Sequence, residues 1–181
     1  MKKILAIVVI LTSFFIFSQP ASAMTSVAES SAVLKEEVLG VKRPDPRVEK
    51  LEAFFTKYDS PLASYAQECI EAADLYQLDW KLVPAITGVE STFGKRIPAY
   101  SYNAYGWNNG NYYFQSWEQS INHVSRCLKE KYVDRGLDTP YKIGPVYAPP
   151  SATWASKVVY FMKLIECFEI EDCFDGLDLS F

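Results

Sequence analysis

Chemistry in this 181-residue chain could begin at a glutamate set among apolar residues. Glu90 lies in WKLVPAITGVESTFG, and a helix from Leu82 to Ser91 puts it on one face with Val83 and Ile86. Burial there disfavours the ionised form, and the helix end marked by Gly94 is the negative end of the dipole. Both effects raise the pKa. A carboxyl held protonated near neutral pH is a general acid of the kind that protonates the leaving oxygen of a sugar linkage. The plain alternative is an acid at a helix end that points into water. The next stretch favours the chemical reading, because Tyr100, Tyr102, Tyr105, Trp107, Tyr112, Tyr113, Phe114 and Trp117 alternate with Asn103, Asn108, Asn109 and Asn111. Aromatic faces stack on the C–H faces of pyranose rings, and carboxamides both donate to and accept from hydroxyl and acetamido groups. This mixture suits a carbohydrate groove, with about half of the aromatics expected to pack the core instead.

The elements that must position these residues are mainly helical. Asp45 and Pro46 read as N-cap and first residue of a helix running to about Lys57, with Val48, Leu51, Phe54 and Phe55 inward. Ser60 and Pro61 repeat that start for a helix to about Tyr76. The Glu90 helix follows, with Pro84 tolerated only in its first turn. From Ala104 to Phe114, AYGW-NNGN-YYF predicts one small β-hairpin around an Asn-Gly turn beside that helix. Ser116 and Gln119 form a capping box for a helix with Ile121, Val124, Leu128 and Tyr132 inward, ended by Gly136. Residues 137–150 read as irregular. Ser151 opens a last helix with Trp154, Ala155, Val158, Met162 and Ile165 inward. This is a helical bundle with one hairpin, and its length suits one core.

Lys2 and Lys3, the apolar run from Ile4 to Phe17 and the small residues Ala21 to Ala23 predict a signal peptide over 1–23, with an uncleaved anchor as the alternative. Residues 24–44 read as a flexible spacer, 45–166 as the functional domain and 167–181 as an acidic tail. The net charge of −4 becomes −6 without the leader, which holds two lysines and no acid, so nucleic acid is not an expected partner. Four cysteines in an exported chain suggest two disulfides. Three pairings are open, and the expected one joins Cys69 to Cys127 and Cys167 to Cys173. His123 and Cys127 stand four apart on a helix, but no CxxC or second histidine supports zinc, so neither a metal nor another cofactor is expected.

The GVESTFG segment, followed by NAYGW, FQSWEQSI and YAPPSATWASKV, resembles the glucosaminidase group of bacterial cell-wall hydrolases and their lytic transglycosylase relatives. The resemblance spans about residues 60–166 and implies an α+β lysozyme-like fold, mainly α. It implies that Glu90 is the catalytic acid, that Ser91 accompanies it, that Asn103 to Gly106 match an Asn-x-Phe-Gly stretch with Tyr105 replacing phenylalanine, and that Tyr147 is an active-site tyrosine. Pro149 and Pro150 depart from the family's polar pair, which leaves Tyr141 as a second candidate. A Gly-rich, Gln-containing segment of many transglycosylases is also missing, which favours the glucosaminidase side. The expected partner is peptidoglycan glycan strands, bound by a secreted or periplasmic monomer at the cell envelope without stable membrane insertion, with Trp107 and Tyr105 holding the glycan. No acid lies between Glu90 and Glu118, so a second carboxylate would come from Asp134 or Asp138, or the substrate's 2-acetamido group would replace it. A transglycosylase giving 1,6-anhydro-muramic ends and a non-catalytic glycan-binding module are the alternatives. With one histidine and no nucleophile signature, Ser or Cys hydrolysis is disfavoured.

Overall fold

A computed structural model describes residues 45–169, which form six α-helices and two short 3₁₀ turns. The predicted leader, spacer and most of the tail, including Cys173, lie outside the described residues. Helix α1 (Pro46–Lys57) starts as its sequence requires: the Asp45 carboxylate accepts from Arg47 N at 2.8 Å, Pro46 takes the first turn, and Leu51, Phe54 and Phe55 are buried. The second predicted helix starts late. Ser60 Oγ accepts from Leu62 N and donates to Phe93 O at 2.7 Å, so it ties the entry of this segment to the turn that follows the Glu90 helix. A 3₁₀ turn (Ala63–Tyr65) intervenes before α2 (Ala66–Leu75).

Helix α3 (Leu82–Ser91) has the predicted bounds, and Leu82 through Thr87 are buried without a break, so it is the central helix of the core. It packs chiefly on α6 (Trp154–Glu166). The chain leaves α3 through three left-handed residues, Thr92, Phe93 and Gly94, with φ of 54°, 58° and 81°. For the first two this conformation costs about 1–2 kcal/mol each. Packing and hydrogen bonds hold it. The Phe93 ring is enclosed by Phe54, Tyr58 and Phe161 at centroid distances of 5.4, 4.8 and 5.1 Å. Ser91 Oγ accepts from Gly94 N and lies 2.7 Å from Ala104 O and 3.0 Å from Thr87 O, either of which can take its proton.

Helix α4 (Trp117–Lys131) opens with the predicted cap, Ser116 Oγ accepting from Gln119 N; Gln119 Oε1 reaches back to Gln115 N at 2.7 Å. It ends at Lys131, earlier than expected, and Gly136 closes a separate 3₁₀ turn (Val133–Arg135). It packs on α2.

Three expectations are corrected. Residues 137–150 are not irregular, because they hold α5 (Pro140–Tyr147), capped by Thr139, with Pro140 in the first turn and Pro145 inside. Its Gly144 lets the helix approach α6, since a Cβ there would stand 3.2 Å from the Trp154 ring. The β-hairpin is absent: no strand occurs among the described residues, and 104–111 is a run of turns. Asn108, Asn109 and Gly110 all have positive φ, and the Asn103 side chain takes the backbone groups of Trp107 and Tyr112 that a hairpin ladder would pair. Finally, Cys69, Cys127 and Cys167 are not in disulfide bonds. Cys69 and Cys127 are both buried, and Cys127 lies against His123, with Sγ 3.6 Å from Nε2.

At Gly88, where α3 meets the Phe93 cage, an added Cβ would lie 2.7 Å from one ring carbon of Phe93 and 3.0 Å from Phe161. Despite alanine's better helix propensity, Gly88→Ala is expected to destabilise the fold by about 1–3 kcal/mol, read as a lower urea midpoint at unchanged m-value.

Candidate active site

Glu90 sits in the last turn of α3, half-buried, and its two carboxylate oxygens have different surroundings. Oε1 accepts from the indole Nε1 of Trp154, the first residue of α6, at 2.7 Å. Oε2 lies against the backbone of Gly106, where a Cβ would stand only 2.6 Å away. Gly106 also has φ of 64°, so the close approach and the backbone both require glycine. Trp154 is in turn stacked on Tyr147 at the end of α5, with ring centroids 4.9 Å apart and planes at 29°. The Tyr147 hydroxyl donates to Tyr105 O at 2.6 Å. Helices α3, α5 and α6 and the loop after α3 therefore meet at one carboxyl group.

A groove of about 380 Å³ opens beside it, lined by Gly106, Trp107, Asn108 and Asn109 of the loop and by Lys131, Tyr132 and Tyr147 of the helical wall. Of the predicted site residues, Trp107 and Tyr147 line this groove and Glu90 adjoins it through Gly106. The others stand elsewhere. Tyr105 is fully buried, with its hydroxyl 3.4 Å from Ser120 Oγ, so its ring has no face for a ligand. Asn103 is buried and fastens the loop, its amide donating to Trp107 O and Tyr112 O while its Oδ1 accepts from Trp107 N. Ser91 is buried and fastens the turn after α3. Tyr141 is 63% exposed on α5 and is not part of the groove lining.

Burial holds the Glu90 carboxyl above its ordinary value, and the Trp154 hydrogen bond, which favours the carboxylate, offsets only part of this. Among the described residues no other carboxylate's charge contributes. Asp134 is paired with Lys129 at 3.1 Å and Asp138 with Lys142 at 2.7 Å. Burial, followed by the nearby Glu90 charge, pushes the Tyr147 phenol well up, so it stays protonated. His123 is packed among Trp107, Tyr112 and Phe114, and burial lowers its pKa, as do the charges of Arg126 and Lys131. Among the described residues no three His, Cys, Asp or Glu side chains are grouped as a metal would need.

Sequence reasoning missed two members of this constellation. Trp154 reads as one more inward residue of the last helix; its indole donor was the available signal, because a buried Trp N–H needs a partner. Gly106 falls inside a matched motif, yet only the geometry gives it a role.

Because the folded-state pKa of Glu90 lies above the ordinary 4.5, the folded protein binds this proton more tightly than the unfolded chain does. Its contribution therefore favours folding less as the pH rises through that interval. Glu90→Gln keeps an oxygen for the indole and has no charge to bury, so at about pH 8 it is expected to melt at a higher temperature than the wild type, with the gain vanishing near about pH 4. Trp154→Phe removes a donor to the carboxylate and is expected to raise the Glu90 pKa further, as read by carbon-13 NMR titration of the carboxyl group.

No protein-family model matches the chain and no curated protein matches it, so the functional reading rests on the geometry of this site.

Proposed function

We propose that the protein cleaves β-1,4 linkages of peptidoglycan as an exported N-acetylglucosaminidase of lysozyme-like type, with Glu90 as its general acid. The observation that supports this best is the Glu90 carboxyl itself: one oxygen fixed by the Trp154 indole, the other free over Gly106 at the edge of an aromatic and carboxamide-lined groove. In this reading Oε2 carries the transferable proton. The hydrogen bond at Oε1 fixes the orientation of the group, and burial keeps the proton in place until a glycosidic oxygen accepts it.

With no second carboxylate among the described residues acting on Glu90, positive charge developing at the anomeric carbon needs another partner. The 2-acetamido oxygen of the substrate supplies it by bonding to that carbon as the leaving group departs with the Glu90 proton. The acetamido N–H becomes more acidic in this step. Tyr147 suits it, because its own proton is committed to Tyr105 O and its oxygen presents lone pairs as an acceptor. The Glu90 carboxylate then takes a proton from the incoming water. If the bond cut is the one at the anomeric carbon of muramic acid, and that residue's own 6-hydroxyl attacks in place of water while Glu90 takes the hydroxyl proton, the product has a 1,6-anhydro end and the enzyme is a lytic transglycosylase.

The test is a digest of purified peptidoglycan with full-length wild type and Glu90→Gln, with released fragments identified by mass spectrometry. Reducing N-acetylglucosamine ends that fall at least about 100-fold in the variant are expected. Anhydro-muramic ends would transfer the protein to the transglycosylases. Wild-type binding with no fragments would leave a glycan-binding module. Activity should also fall as the pH rises past the Glu90 pKa, and full activity well above about pH 8 would exclude a protonated carboxyl as the acid.

A further inference from the structure

We infer that the groove beside Glu90 takes a glycan bearing a carboxylate and that Lys131 holds that carboxylate. This rests on the proposed reading of the site and specifies a substituent that its substrate carries. Among the described residues Lys131 is the one charged residue lining the groove, whose other polar side chains, Asn108, Asn109, Tyr132 and Tyr147, are neutral. Several cations elsewhere on the described surface have acidic partners. Lys129 pairs with Asp134, Lys142 with Asp138, Lys81 with Glu166, and Arg47 bridges Asp45 and Asp74. Among the described residues Lys131 has no such partner, and its ammonium lies 5.7 Å from the centroid of the Trp107 ring.

That cation–π contact positions the ammonium without neutralising it. A cation in the last turn of a helix is favoured by the dipole alone, which would account for a lysine near the end of α4. Lys129 already occupies that turn, however, and it is paired. Lys131 differs in facing the groove and in holding an aromatic wall residue. The chain carries a net charge of −4, so its overall field repels anionic glycans, and a local uncompensated cation in the binding groove reverses the sign where it matters. A lysine is a compact point charge with rotatable donors, so it accepts a carboxylate on a sugar ether or on an attached peptide without demanding planar geometry. In peptidoglycan these are the free lactyl group of muramic acid and the acids of the peptide stem.

The inference is tested by calorimetric binding to full-length Glu90→Gln, with and without Lys131→Met, which keeps the apolar stem. The probes are neutral N-acetylglucosamine tetramer, glycan strands stripped of peptide, and strands retaining their stems. Lys131→Met is expected to weaken binding of the carboxylate-bearing strands about tenfold at low salt and to leave the neutral tetramer within about twofold, with the difference shrinking as salt rises. Loss on stripped strands identifies the lactyl carboxylate, and loss only on stem-bearing strands identifies the peptide. An equal loss on the neutral tetramer, no loss on either acidic strand, or no binding of any strand would overturn the inference. Charge-selective binding by a wild type that cuts nothing would retain this subsite and remove the enzyme, whereas cutting without charge preference would do the reverse.

Discussion

The hydrogen bond from the Trp154 indole to Glu90 is the contact on which the site depends, because it joins residues 64 positions apart and closes α6 onto the end of α3. A hydrogen bond to a charged group is worth about 1.5–3 kcal/mol, less than the cost of taking a carboxylate out of water. The balance is therefore left unfavourable to ionisation, and the pKa stays raised. A stronger set of donors would stabilise the carboxylate and remove the protonated carboxyl that the proposed mechanism needs. Trp154 thus sets the orientation of the group while leaving its proton in place, and the Tyr147 ring stacked on the indole keeps that donor aimed.

The loop that supplies Gly106 is held by buried polar groups rather than by a sheet. Asn103 satisfies three backbone groups of the loop, Ser91 joins it to the α3 turn, and the carbonyl of Tyr105 receives the Tyr147 hydroxyl. Each of these groups would be costly if left unpaired inside the protein, so the network closes around one geometry. The Tyr105 ring, fully buried and perpendicular to the Phe114 ring, anchors the same loop in the core. Residues that resemble substrate contacts by type therefore act one layer behind the groove, whose surface is formed by Trp107, the adjacent asparagines, Lys131, Tyr132 and Tyr147 with Gly106.

What the sequence revealed follows from which signals are local. Asp45 with Pro46, Pro84 with Gly94, and Ser116 with Gln119 are cap and stop signals acting within a few residues, and the helices they bound start where expected. Helix α5 was hidden because Pro140, Gly144 and Pro145 all read as breakers, although one proline falls in a tolerated first turn and the glycine serves a tight approach to Trp154. Asn-Gly between aromatic runs is a strong hairpin signal, but Asn103 competes for the same backbone groups from outside that window. The disulfide expectation rested on an even cysteine count, and counting cannot place two thiols face to face. Glu90 was legible because the conflict between its charge and its apolar face is itself local. The partner that resolves this conflict, Trp154, is remote in sequence and was not.

The origin of the Glu90 shift constrains how the site responds to being filled. In a pair of carboxylates the raised pKa comes from like-charge repulsion, which salt screens and which disappears when one partner reacts. Here it comes from burial, with no second acid among the described residues contributing. It is therefore nearly insensitive to ionic strength but sensitive to water at the groove. A ligand seated against Gly106, Trp107 and Tyr147 displaces that water and strengthens the desolvation on the side of Oε2. In the proposed mechanism the carboxyl is consequently held protonated most firmly when an acceptor for its proton lies beside it, and once the proton is given up, the indole at Oε1 is already in place to receive the charge.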